Sequence, residues 1–124
     1  MKIMIITLGL LTGIFSLSSN ANKMTEQFIP IGNSPGVSYK QTSIGIIDSI
    51  DPGKREISVT EINGARKRYI ISDKTRIWLD NSRQKKMNSI GEFENCEVGQ
   101  MAEVMPRQDQ PDNAEWVKLE LIRQ

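Results

Sequence analysis

From residue 44 onward the chain alternates short apolar runs with turn residues, and this pattern constrains the fold more than any other feature. IGIIDSI is followed by Asp51-Pro52-Gly53-Lys54, in which Pro and Gly occupy the two central positions of a type II turn. REISVTEI then alternates apolar with polar residues, and Asn63-Gly64, a strong hairpin signal, precedes ARKRYIIS. We therefore expect antiparallel strand pairs at the start of the folded region.

The length of the Asn63-Gly64 loop decides which residues of its two strands face each other. A two-residue loop would place an arginine opposite Val59 and so put a charge on the apolar face. A three-residue loop over residues 63–65 pairs Val59 with Tyr69 and Ile57 with Ile71. We predict this second register, with a bulge, because it gathers four apolar side chains on one face.

The remaining sequence predicts three more strands and one short helix. TRIWLD, GQMAEVMP and AEWVKLELIRQ have strand-like patterns, with Lys118 and Glu120 of the last strand on the face opposite its apolar residues. MNSIGEFENCEVG predicts a short helix or 3₁₀ turn capped by Asn88 or Ser89, with Glu92 at capping-box spacing from Ser89. No long helix alternates with the strands. The fold class expected is all-β, a small OB-like antiparallel barrel of five to six strands with one short helix.

The N-terminal residues have the pattern of a secretory signal peptide. Lys2 precedes an apolar run over residues 3–17, and Ser19 and Ala21 occupy the −3 and −1 positions of a cleavage site. The run is short for a membrane-spanning helix of about 20 apolar residues, so no stable membrane span is expected. We predict that residues 1–21 are a cleaved signal peptide of a periplasmic or secreted bacterial protein; the alternative is an uncleaved anchor.

Residues 22–42 lack the regular apolar patterns of the segments on either side. Residues 22–42 contain two Pro-and-Gly breaks and no sustained period, which predicts a linker or extended arm. Its apolar group, residues 28–31, would dock on the domain itself or on a partner. The OB-like domain is then expected over residues 43–124.

Residue usage excludes several function classes. The chain contains no histidine, which removes the commonest general base and the commonest transition-metal ligand. We therefore expect no catalytic residues, no metal site and no cofactor. Of 16 basic residues only Lys2 lies in residues 1–21, so 15 basic residues remain against 15 acidic ones. This balance argues against a nucleic-acid partner, because such proteins usually show a strong basic excess.

A basic cluster with an aromatic residue is the strongest candidate for a binding surface. We assign partner binding to seven of its residues: Arg66, Arg68, Lys74, Arg76, Trp78, Lys85 and Lys86. In an exported protein such a cluster would bind an envelope protein or an anionic surface; the alternative is a solvated face. An acidic run, Glu92, Glu94, Glu97 and Glu103, would make the domain dipolar, so the protein is expected to be a monomer or a subunit of a larger complex.

Two single residues have competing interpretations. Trp116 could be a partly exposed binding residue, but we expect it to pack against a neighbouring strand. Cys96, the only cysteine, could form an intermolecular disulfide. We expect it instead to pack at the core, with Val98 at the next apolar position and a thiol pKa raised by the neighbouring Glu94 and Glu97.

Four segments together resemble the layout of a known family. GIIDSIDPGKREISV, SDKTRIW, SIGEFENCEVGQMAEV and AEWVKLELI are similar, over residues 43–124, to the periplasmic copper-chaperone OB family. The resemblance implies an OB barrel, and in that family Cu(I) is bound by one His and two Met beneath a Trp. This chain has no His, and its nearest candidates, Met101 and Met105, would lie about 13 Å apart on one strand. We therefore expect a binding or accessory module without catalysis; the alternative is a copper(I)- or metal-handling protein.

Overall fold

Residues 43–121 form seven strands that share one sheet. The computed structural model describes residues 25–121, so the predicted signal peptide lies outside the described residues. The strands are β1 (Ser43–Asp51), β2 (Glu56–Glu61), β3 (Arg66–Ile70), β4 (Arg76–Asp80), β5 (Ser89–Ile90), β6 (Met101–Pro106) and β7 (Ala114–Glu120). Two 3₁₀ turns, Ser82–Gln84 and Phe93–Asn95, flank β5. Within residues 25–121, no helix has the length and apolar character needed to cross a membrane.

The strand order closes the sheet into a barrel. The order is β3-β2-β1-β6-β7-β4-β5, and every neighbouring pair is antiparallel except β4 with β7, which is parallel. β3 and β4 lie towards opposite ends of this order, yet only residues 71–75 separate them along the chain. A parallel bridge between Ile70 and Asn113 connects the end of β3 to the chain just before β7. The bent β3–β4 segment therefore joins the two ends of the sheet.

This arrangement confirms the predicted all-β, OB-like fold class. If β3 and β4 count as one bent strand and the two-residue β5 is set aside, five strands remain, the number in an OB barrel. The sheet is not wholly antiparallel as predicted, because β4 runs parallel to β7. Only strands adjacent in sequence can be paired from turn signals, so the parallel contact between distant segments was not visible in the local pattern.

The barrel interior is a continuous apolar core. Its buried members come from six strands, the segment that follows β3 and the second 3₁₀ turn: Ile47, Ile57, Val59, Tyr69, Ile71, Ile77, Phe93, Ala102, Val104, Ala114, Val117 and Leu119. The inward positions of Ala102 and Val104 follow the alternation expected for β6. Phe93 packs against this core from the second 3₁₀ turn, and the guanidinium of Arg55 lies 4.8 Å from the centre of its ring.

The β2–β3 hairpin has the predicted faces but a different register. Val59 pairs with Lys67 and Ile57 with Tyr69, because the loop is Ile62–Gly64 and the amide of Glu61 donates to Ala65 at 2.8 Å. The predicted register was wrong by two residues. Since side chains alternate with a period of two, a two-residue slip keeps every side chain on its face. The four expected apolar side chains are accordingly all in the core.

The region before β6 contains a 3₁₀ turn, as predicted, but its cap was misplaced. The turn begins after Glu92, whose amide donates to the Asn95 side chain at 2.7 Å. Ser89 belongs to β5, and Asn88 is buried beside the arm, where its side chain donates to the Gln27 carbonyl at 2.9 Å. Tertiary contacts therefore use the residues that the local pattern assigned to capping.

The N-terminal arm, residues 25–42, packs on the outer face of β4, β6 and β7. It consists of successive turns, and its polar groups bond to three charged side chains of the barrel. The amide of Ile31 donates to Asp80 at 2.9 Å, and that of Gly32 donates to Glu103 at 3.0 Å. The hydroxyls of Ser38 and Thr42 in the arm also donate to Glu103, at 2.7 and 2.8 Å respectively. The outer face of the barrel is therefore covered along these strands.

Lys118 is the most unusual of the covered residues. Its side chain is completely buried, yet its ammonium forms a 2.7 Å ion pair with Glu26 of the arm. It also donates to the Ser34 hydroxyl at 3.3 Å and lies 4.8 Å from the centre of the Trp116 ring. A buried charge is costly unless it is paired and hydrogen-bonded, so Lys118 depends on the docked arm for its partners.

This packing buries two charged residues of β6 and β7, and Glu103 therefore does not belong to an exposed acidic surface. Lys118 lies on the face opposite the core, as predicted, and Glu103 belongs to the predicted acidic run, but both are fully buried. The alternation of β6 and β7 identifies their outer faces; it does not identify the segment that covers those faces. The expectation that Trp116 packs against a neighbouring strand is confirmed, because its ring packs against Trp78 of β4 and 4% of the residue is exposed.

Replacing the buried lysine tests whether the arm is held by this ion pair. We expect Lys118→Met to lower the free energy of unfolding by about 3 kcal/mol, because it leaves Glu26 without its cationic partner. Lys67→Met is the matched control, since Lys67 pairs with Glu61 at 3.3 Å but is half exposed. Its loss should cost less than about 1 kcal/mol. Equal losses in urea titrations of the two variants would contradict the structural role given to Lys118.

Candidate functional site

The structure brings three of the seven predicted binding residues together. Lys74, in the turn before β4, and Arg76 and Trp78, on β4, line one groove on the outer surface. The other four lie elsewhere: Arg66 and Arg68 on β3, and Lys85 and Lys86 after the first 3₁₀ turn. None of these four lines this groove or its neighbour. The cluster is continuous in sequence, but the bend between β3 and β4 separates its halves.

Arg66 is occupied by a contact within the barrel. Its guanidinium lies 3.0 Å from the carboxylate of Asp48, at the bulge of β1, and also donates to Ser49. The hydrogen bond from Thr60, followed by that from Arg66, lowers the pKa of Asp48 below the ordinary carboxyl value. Arg66 therefore stabilises the surface of β1–β3 and is the least available of the six basic residues predicted to bind a partner.

The groove lies at the end of the outer face that the arm leaves open. Strand register places Met105, Trp116 and Arg76 side by side across β6, β7 and β4. The next row along the same strands, Glu103, Lys118 and Trp78, is the row beneath the arm. The groove is open to solvent and has a volume of about 830 Å³. Its position is thus set by where the covering arm ends.

Two tryptophans form the aromatic part of the groove. The rings of Trp78 and Trp116 lie 5.6 Å apart between centres and are tilted by 36°. Trp78 is only 5% exposed. Trp78 therefore lines the groove with little of its side chain exposed, because it packs against Trp116. Whether the seven residues bind a partner stays a prediction.

The loop between β6 and β7 forms the opposite wall. Arg107 donates two hydrogen bonds, of 3.1 and 3.0 Å, to the carboxylate of Asp109. The bonds from Arg107 lower the pKa of Asp109 below its usual range. Pro106 and Pro111 lie on either side of this pair and restrict the loop backbone. The Arg107–Asp109 pair therefore adds little net charge to the groove.

The remaining charges give the groove a local positive excess. Lys74 and Arg76 are exposed, and among residues 25–121 neither side chain forms an ion pair. Glu115 is the one further acidic residue of the groove lining. Two cations against one carboxylate, beside tryptophan and proline surfaces, suit a ligand that carries both negative charge and apolar groups.

A second cavity adjoins the groove across Arg76 and Trp78, which line both. It measures about 520 Å³ and is lined in addition by Gln27, Phe28, Thr75, Ile77, Ile90 and Gly91. The arm supplies Gln27 and Phe28, whose position is fixed by the ion pair of Glu26 and the bond from Asn88 to the Gln27 carbonyl. Sequence reasoning marked residues 28–31 as a docking group but could not connect them to β4.

Within residues 25–121, the three methionines and the cysteine do not assemble into one site. Met105 lines the groove, whereas Met101 lies four residues earlier on β6 and Met87 is exposed beside β5. In the part of the chain that the structure describes, no three His, Cys, Asp or Glu side chains gather as metal ligands. Cys96 packs against the barrel core, as predicted. Val98, expected to be the next apolar contact, is instead 64% exposed.

The comparisons with known proteins leave the function open. The sequence matches no protein-family model and no curated protein sequence. Among solved structures, a Cu(II)-bound variant of CusF from Escherichia coli is similar, with 12% identity and a TM-score of 0.39. The match covers 64% of this chain and 90% of that one. So slight a likeness carries no argument about ligands, and the barrel assignment rests on the strand order.

The environment of Cys96 predicts an unreactive thiol. Burial raises its pKa to about 11, with a smaller contribution from Glu94 and an opposing one from Arg55. The ordinary value is 9.0, so at pH 8 the folded protein should hold about 100-fold less thiolate than the unfolded chain. We expect maleimide labelling in buffer to be slower than in urea by about this factor. The free energy of unfolding should also fall as pH rises from about 9 through about 11, because the Cys96 thiol loses its proton at lower pH in the unfolded chain than in the folded protein. Equally fast labelling in buffer and urea would contradict the buried position.

Proposed function

We propose that this protein is a small exported module, periplasmic or secreted, that binds a partner and catalyses no reaction. The partner is an acidic segment of an envelope protein, which binds in the groove between β4 and the β6–β7 loop. The observation that carries the proposal is the convergence of Lys74, Arg76 and the Trp78–Trp116 pair on one groove. Export rests on the sequence of residues 1–21.

The fold supports the choice of this surface. OB barrels commonly bind their ligands with the loop that joins the last two strands, and here that loop, residues 107–113, forms one wall of the groove. This support is an analogy between folds, and the chemistry of the site supplies the specificity. Lys74 and Arg76 have no ionic partner among the described residues, and a carboxylate would give them one.

The residues of the groove favour binding over catalysis. The chain contains no histidine, and the groove carboxylate Asp109 is held by Arg107 in a form that neither accepts nor releases protons readily near neutral pH. Cys96 packs against the core and does not line the groove. Copper(I) handling, the alternative that the sequence suggests, has no specific geometric support, because Met105 reaches the groove and Met101 does not line it.

The two tryptophans allow ligand binding in the groove to be followed by their fluorescence. Both tryptophans of the chain lie at the groove, so intrinsic fluorescence follows its occupancy. We expect a short synthetic peptide of alternating glutamate and glycine to change the emission saturably, and the affinity to fall as salt is added. Arg76→Ala should weaken binding about tenfold, because it removes a charge-assisted hydrogen bond.

The control uses an arginine of the same exposure outside the groove. Arg68 is also exposed on a strand and has no ion pair within residues 25–121, so Arg68→Ala should change the affinity less than about twofold. If the two variants weakened binding equally, the cluster would act as a diffuse basic face. A complete lack of response to the peptide would remove the basis of the proposal.

A further inference from the structure

The second cavity has walls that are apolar and exposed on both sides. Phe28 of the arm is 50% exposed, and Ile90 of β5 is 76% exposed, although both line the same cavity. Large apolar side chains that face each other across an open cavity are typical of a site that another apolar group fills. No described segment of this chain fills it.

The positively charged groove and the apolar second cavity lie next to each other. Arg76 and Trp78 line both, so the cation of Arg76 stands at the boundary between the charged groove and the apolar cavity. We infer that the partner segment is extended and carries an apolar side chain close to its carboxylate, with the carboxylate at Arg76 and the apolar group between Phe28 and Ile90. This inference rests on the proposed function and specifies its ligand.

The edge of the sheet favours an extended chain over other ligands. β5 pairs with Trp78 and Leu79, and the Gly91 amide donates to the Ile77 carbonyl at 2.8 Å, so Arg76 at the start of β4 has no neighbouring strand on this side. The cavity opens at this gap, where a peptide can lie along the strand as an additional edge. In an extended peptide, side chains two residues apart lie on one face and are separated by about 7 Å, a spacing that suits two adjoining cavities.

The charge around the two cavities favours a protein partner over a lipid surface. Glu92 and Glu94 follow Gly91 in the chain and are exposed, so they would repel anionic headgroups of a membrane that covered the surface around this cavity. A bound peptide would occupy the cavities without covering the surrounding surface as a membrane does. The charges nearest to its carboxylates would therefore be those of Arg76 and Lys74. The combination of a narrow cationic point and an apolar cavity therefore fits a peptide better than a membrane.

Three synthetic peptides test the inference in the full chain, with tryptophan fluorescence as the readout. The first alternates glutamate and glycine, the second adds one phenylalanine two residues from a glutamate, and the third has glutamine in place of each glutamate of the second. We expect the phenylalanine to raise the affinity about tenfold, and the glutamine peptide to lose that affinity. Anionic and neutral vesicles, tested by co-sedimentation, should leave the protein in the supernatant.

Matched isoleucine variants locate the apolar contact. Ile90→Ser should abolish the gain from phenylalanine and leave binding of the glutamate–glycine peptide within about twofold. Ile62→Ser is the control, because Ile62 is 92% exposed at the hairpin tip and lines neither cavity; it should keep the full gain. Both residues are exposed, so neither change should unfold the barrel.

The outcomes distinguish this inference from the proposal on which it rests. If phenylalanine gave no gain, or if Ile90→Ser kept it, the apolar cavity would be excluded while loss of binding in Arg76→Ala would still support the acidic partner. If no peptide bound, both proposals would fail together. Sedimentation with anionic vesicles, lost in Ile90→Ser, would assign the cavity to a lipid surface and overturn the inference.

Discussion

The burial of three charged side chains beneath the N-terminal arm is the constraint on which the rest of this structure depends. Asp80, Glu103 and Lys118 stand on the outer faces of β4, β6 and β7, and each is at most 4% exposed. Charges removed from water are tolerated only when they are paired and hydrogen-bonded. The arm supplies a partner to each, so the outer face of the barrel is compatible with burial only while the arm is docked.

The docked arm also defines the surface that remains for a ligand. It covers the row of Lys118 and borders the row of Met105, Trp116 and Arg76, where Gln41 of the arm lines the groove. Further along, the same arm contributes Phe28 to the second cavity. A segment that consists mostly of turns therefore completes the fold and, at the same time, shapes both cavities proposed to bind the partner.

The sequence was informative where a local physical rule decides the outcome. Alternation predicted the inward side chains of the β2–β3 hairpin, and these are correct despite a register error of two residues, because the face repeats with that period. Cys96 was recognised as a packing residue from its apolar context. Lys74 and Arg76 are two positions apart, so their shared surface agrees with strand alternation, although Lys74 itself belongs to the turn before β4.

Long-range contacts lay beyond such rules. Alternation places Lys118 opposite the core, but it cannot reveal that residues distant in sequence cover that face, with Glu26 92 positions away. The bend after Ile70 separated Arg68 from Arg76 although the basic cluster appears continuous in sequence. The second cavity escaped sequence reasoning for the same reason, because its walls come from the arm, β4 and β5.

Amide hydrogen exchange at Ile31 and Gly32 tests the central claim, the docking of the arm on buried charges, most directly. These two amides donate to the carboxylates of Asp80 and Glu103, although the arm has no strand to protect them. The account predicts exchange slower than in an unstructured peptide by a factor on the order of 100 or more. Exchange of both amides at the rate of a free peptide would show that the arm does not cover this face, and would contradict the account.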